Sequence, residues 1–270
     1  MQQKLSRCRL FLFVTLSLSF LLAACGMNNA STPPAKALEA THNFVLTGDK
    51  GFSPFIQVVP VNTTVAFINN DVVGHNIINT LNSNSFLNPV AYGMTLLPHT
   101  QQETTFTAPG IYDIYDNVFA TYNDAEQRVT ALPQSPVAPY PLAIEGILWV
   151  QGDISGLSAT ADATINTNTH NIDNNFLAIT KGGSIAWHND STTAVTLQPV
   201  PGWQAPINPV ALPPITIAGL ATVNQTYSTP GLYYFYSPTY ADINQTLHRA
   251  VSRSTSADFP VAFEGFVLVV

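Results

Sequence analysis

The chain has 270 residues, with 9 basic against 16 acidic and only two cysteines. A net charge of −7, without any cluster of Lys or Arg, excludes a surface built to grip nucleic-acid phosphates. Charged residues make up just 9% of the chain while Asn, Thr, Pro and β-branched residues abound, which suits an all-β protein outside the cytoplasm.

The N-terminus reads first. Lys4, Arg7 and Arg9 precede an apolar run over 10–22, too short for a comfortable membrane span, which needs about 20 residues. The run ends in Leu22-Ala23-Ala24-Cys25, which resembles a bacterial lipobox. That resemblance implies a signal peptide over 1–24 and a lipid on Cys25, holding the chain to the membrane from outside the cytoplasm. Gly26 after the cysteine favours the outer membrane where a cell has one. Residues 25–41, rich in Asn, Ala, Ser, Thr and Pro, read as a flexible tether. Removing the leader leaves six basic residues against sixteen acidic, a charge near −10. Cys8 falls in the leader and Cys25 carries the lipid, so the folded part has no thiol for a disulfide or a thiolate metal site.

The remainder repeats itself. Asn88-Pro89-Val90-Ala91 returns as Asn208-Pro209-Val210-Ala211. Pro109-Gly110-Ile111-Tyr112 returns as Pro230-Gly231-Leu232-Tyr233, and Ala143-Ile144-Glu145-Gly146 as Ala262-Phe263-Glu264-Gly265. Tyr122, Asp124 and Gln127 match Tyr240, Asp242 and Gln245. Residues 65–71 match 185–190 with one residue deleted. Two domains are expected, over 42–151 and 152–270. In the first, alternating apolar residues predict strands over 43–46, 56–59, 64–68, 103–107, 110–115 and 144–150. The last of these is almost continuously apolar and should lie centrally. Short strands with turn signals between them predict a β-sandwich in each copy.

One stretch orders both copies: an alternating strand over 65–68, the turn Asn69-Asn70-Asp71, and His75-Asn76 at the next strand's start. Together with Pro-Gly-x-Tyr and a Gly-led closing strand, it resembles the cupredoxins, the plastocyanin and azurin family. The resemblance implies two tandem Greek-key β-sandwiches. It also implies where copper ligands would stand. His75 holds the corner position, but Ala194 is assigned to it in the second copy. The cysteine position holds Asp116 or Ser237, the second histidine Phe119 or Tyr240, and the axial methionine Ile144 or Phe263. Without a thiolate there is no type 1 copper, and no cofactor is expected. His75 either bonds locally in its turn or, with Asp116, starts a different copper or zinc site.

The positions the copies share outside that pattern are Tyr122, Asp124, Gln127, Arg128 and Glu145, and Tyr240, Asp242, Gln245, Arg249 and Glu264. A glutamate beside a core strand needs a partner. Pairs Arg128–Glu145 and Arg249–Glu264 (or Arg253–Glu264) are therefore expected, the alternative being that these side chains line a polar pocket in each copy. The chain has no Gly-x-Ser-x-Gly elbow, phosphate-binding glycine loop, calcium loop or zinc-protease histidine pair, so no enzyme is expected. The aromatic-bearing stretches 112–122 and 203–217 are the candidate contact surfaces for an envelope partner or a small ligand.

Overall fold

The computed structural model describes residues 42–47, 51–80, 84–124, 126–133, 140–166, 171–256 and 259–270. Cys25, the leader and the tether lie outside them, as does His170. Every regular element among the described residues is a strand.

In the first half these are β1 (Asn43–Thr47), β2 (Gly51–Ser53), β3 (Ile56–Pro60), β4 (Thr63–Asn69), β5 (His75–Asn79), β6 (Gly93–Leu96), β7 (Gln101–Phe106), β8 (Gly110–Asp116), β9 (Ala120–Asn123), β10 (Arg128–Ala131) and β11 (Glu145–Gln151). In the second they are β12 (Thr160–Ile165), β13 (Ile172–Asp173), β14 (Phe176–Ile179), β15 (Ser184–Asn189), β16 (Val195–Pro199), β17 (Ile215–Ile217), β18 (Thr222–Thr226), β19 (Gly231–Tyr236), β20 (Ala241–Asn244), β21 (Arg249–Ser252) and β22 (Glu264–Val269).

The first half pairs as β2-β1-β4-β7 and β3-β11-β8-β5-β6, with β9-β10 as a separate hairpin. The second half repeats this as β13-β12-β15-β18, β14-β22-β19-β16-β17 and β20-β21. In both, the first pair across the smaller sheet is parallel (β1 with β4, β12 with β15) and so is the pair at the edge of the larger (β3 with β11, β14 with β22). Phe44, Val65 and Phe67 from the small sheet meet Ile77, Tyr112 and Leu148 from the large one, so the sheets are the two layers of a sandwich.

β11 shows why a strand can be apolar without alternation. Leu148 and Val150 belong to the first half's own core, whereas Ile147 and Trp149 belong to the core of the second half. The same split on β8 sends Tyr112 and Ile114 inward and Ile111 across. Successive side chains point to opposite faces, so a second sandwich lying on the outer face buries both. Gly146 marks the tightest point of the inner face. A Cβ there would fall 2.6 Å from the Phe44 ring, so the small sheet closes down on β11 only over a glycine.

The structure also corrects two alignments. Asn69 donates its amide to the carbonyls of Val73 and Leu97, and Asn189 donates to those of Thr193 and Ala218. Asn69 and Asn189 are therefore equivalent, with no deletion, and the counterpart of His75 is Val195 rather than Ala194. In the hairpins, Arg128 faces Asn123 and Arg249 faces Asn244. This pairs Tyr122 with Ile243 and Tyr240 with Phe119, so the shared Tyr-x-Asp-x-x-Gln spacing is offset by three residues and equates no positions.

Candidate functional site

The corner is built from the turn upward. Asn69 ends β4, and its carboxamide oxygen accepts the backbone N–H of Asp71 at 2.8 Å while its nitrogen ties the turn to β6. That is an Asx turn with the amide group buried. The turn aims Asp71 back at His75, the first residue of β5. His75 Nε2 lies 3.2 Å from Asp71 Oδ2, and its Nδ1 lies 2.6 Å from Asp116 Oδ2 at the end of β8. Asp116 also accepts the backbone N–H groups of Asn76 and Val118, both at 3.0 Å. His75 and Asp116 are buried, with the edge of the Phe119 ring against the imidazole at 5.7 Å.

A copper centre of the cupredoxin kind does not fit these residues. Where the resemblance would put the thiolate stands the carboxylate of Asp116, where it would put the second imidazole stands Phe119, and Ile144 is buried in the core where it would put the axial ligand. Two donors on one tetrahedral ion at about 2 Å stand roughly 3.3 Å apart, whereas His75 and Asp116 at 2.6 Å bond to each other. Among the described residues no group of three or more His, Cys, Asp and Glu is disposed to hold a metal ion. The equivalent pole of the second half has buried Val195 and Ser237, capped by Tyr240 stacked on Phe263 at 5.4 Å.

The second cluster lies in the seam between the halves. Alternation along β8 and β11 places Asp113 and Glu145 on the same outer face as Ile111 and Ile147. Across from them stand Tyr234 of β19 and Glu264 of β22. The hairpins then exchange arginines. Arg249 donates to the carboxylate of Glu145 and, at 2.8 Å, to the carbonyl of Ala143, with its guanidinium 4.3 Å over the Phe55 ring. Arg128 reaches the other way, donating to the Ile172 carbonyl at 2.9 Å. The expected pairing of Arg249 or Arg253 with Glu264 is therefore corrected: the hydrogen-bonded ion pair of Arg249 is with Glu145 of the other half, and Arg253 pairs with Asp242 at 2.7 Å.

Burial governs the seam's electrostatics. It pushes Asp113 well above the usual carboxylate range, reinforced by Glu145 beside it. Burial raises Glu264 to about 7, against the pull of Arg249 and with a push from Glu145. Tyr234, raised by burial and then by Glu264, donates its hydroxyl to Glu264 and accepts the N–H of Ala250 at 2.9 Å. The crevice beside Arg249 and Glu264 measures about 20 Å³, room for a water and nothing larger. Asp113, Glu145 and Glu264 are all buried in the seam.

The polar-pocket alternative is not built. Asp124, Gln127, Asp242 and Gln245 lie exposed on the hairpins. Asp71, Asp113 and Tyr234 escaped sequence reading. Asp71 could have been found four residues before His75. Asp113 and Tyr234 could not, because they occupy equivalent positions with unlike residues.

No protein-family model matches the chain, and no curated protein matches it. Among solved structures it is similar to a Cu(I) variant of amicyanin at 14% identity and TM-score 0.27, over 43% of this chain and 87% of that one. An oxidised amicyanin variant aligns at 12% identity and TM-score 0.28, over 43% and 87%. The purple cupredoxin from Nitrosopumilus maritimus aligns at 20% identity and TM-score 0.26, over 41% of this chain and 99% of that one.

Proposed function

We propose that the protein is a non-catalytic binding module of the bacterial cell envelope, held to the membrane by lipid on Cys25. On this reading it consists of two cupredoxin-like domains, 42–151 and 152–270, without type 1 copper ligands, and its loops take an envelope protein or a small ligand. The observation that supports it best is the state of His75. Both ring nitrogens already face carboxylates of the same chain, Asp116 at 2.6 Å and Asp71 at 3.2 Å, and the thiolate position is a carboxylate. Ordinary cupredoxin electron transfer has nothing left to work with.

A second reading rests on the same three residues. Asp71, His75 and Asp116 would open apart and hold Cu(II) or zinc through oxygen and nitrogen, making the protein a copper-handling accessory. Titration of the full chain in detergent with Cu(I) and Cu(II) separates the two. No stoichiometric uptake is expected. Tight binding abolished by His75→Ala would establish the metal-handling reading instead.

A further inference from the structure

The second half carries a cleft beside β16. Its volume is about 460 Å³, within the roughly 300–1,000 Å³ typical of small-molecule sites. It opens between β16, β19 and the stretch 200–214, and its walls include Gln198, Trp203, Leu212 and Tyr236. No charged residue lines it. The wall therefore offers no charged partner to a charged ligand.

The wall is held ready. Gly202, at φ +91°, leaves room for the ring of His248, which would stand 2.0 Å from any Cβ placed there. His248 itself sits in the left-handed region at φ 49° and accepts the Trp203 indole N–H on its carbonyl at 2.8 Å. Trp203, half-buried and packed in part against the core, is therefore fixed by the β20–β21 hairpin. Its N–H is spent on His248, so it offers a ligand its ring face and no donor. Hydrogen bonding falls to the Gln198 amide and the Tyr236 hydroxyl, which contact each other. The β-strand register equates Gln198 with Ile78 of the first half, so the fold does not require an amide there.

We infer that this cleft binds a neutral saccharide, one sugar ring lying on Trp203 with its hydroxyls on Gln198 and Tyr236. A proline-rich segment is the less suited guest, because its backbone carbonyls would want the indole N–H that His248 already holds. The inference rests on the binding-module reading and names the ligand class for it.

Trp149 and Trp187 are buried, so fluorescence changes on ligand addition report Trp203. The full chain in detergent would be titrated with maltose, cellobiose and N,N′-diacetylchitobiose, with decaproline and a glucuronate disaccharide as contrasts. Saturable shifts are expected with at least one neutral disaccharide and with neither contrast. Trp203→Phe keeps an aromatic face and should retain binding. Trp203→Ala should weaken it about tenfold, followed by saturation-transfer NMR. Gln198→Ile, which installs the first half's residue at a folded position, should weaken it comparably. Response only to decaproline or the anionic sugar, or to no probe, overturns the saccharide assignment. None of these outcomes touches the binding-module reading, which the copper titration decides separately.

Discussion

The two poles share a corner and differ in what fills it. Asn69 and Asn189 make the same amide contacts to their turns and to the strand that follows the long insertion. Above them the first half holds three buried polar side chains, Asp71, His75 and Asp116, where the second has Ser191, Val195 and Ser237. The corner conformation is thus set by the asparagine, and the histidine is one way of filling the space above it. The seam shows a parallel inequality. Glu145 receives an arginine from the other half, whereas Glu264 receives the hydroxyl of Tyr234 from its own.

The seam gives the largest test of that difference. Arg249→Met would leave Glu145 buried without its partner, at a cost of about 3–5 kcal/mol and a fall in Tm of roughly 10 °C, measured by denaturant and thermal unfolding. Unchanged stability would mean that Glu145 does not depend on the exchanged arginine.

The pH dependence comes next. Glu264 is raised from its ordinary 4.5 to about 7, so the folded chain binds its proton more tightly than the unfolded chain. Its contribution is fully present below about pH 4.5 and is lost as pH rises through 7, by up to roughly 3 kcal/mol. Asp113, shifted the same way by burial, adds to the slope. Glu264→Gln should flatten the decline in unfolding free energy between pH 4.5 and 7. A slope identical to that of the parent chain would contradict the assignment.

The smallest effect concerns the poles. His75→Val, the second half's residue, leaves Asp116 without its ring partner and should cost about 2 kcal/mol. Adding Asp116→Ser, which completes the exchange, should recover part of that loss, a coupling of about 1–2 kcal/mol in a double-mutant cycle. Strictly additive costs would show that the two poles are not interchangeable fillings of one frame.

Much of the scaffold was legible because it rests on period and turn chemistry. Alternation located β1, β3, β4, β7, β8 and β11 to within a residue or two, and the continuous apolar run of β11 correctly foretold an interior strand. β2 and β6 are too short and too polar to announce themselves, and β9–β10 lies in a loop whose apparent repeat was offset. At the site, the missing thiol could be read directly. The resemblance already sets Asp116 beside His75, whereas Asp71 becomes the second carboxylate on the ring through the Asx turn that Asn69 builds. Arginine as the partner of a buried glutamate can be read from the sequence, but which glutamate it meets cannot. Sequence order favours the near glutamate, and only the packing of one sandwich on the other brings Arg249 to Glu145.

That exchange has a consequence for the chain's history. Each hairpin lends an arginine to its neighbour, and each closing strand shows the neighbour a buried face. In a single-copy ancestor the same contacts would form an isologous homodimer interface, with residue i of one subunit meeting residue j of the other and the reverse. Joining the copies in one chain frees the two sides of such an interface to diverge. Glu145 could then keep an arginine while Glu264 took the hydroxyl of Tyr234.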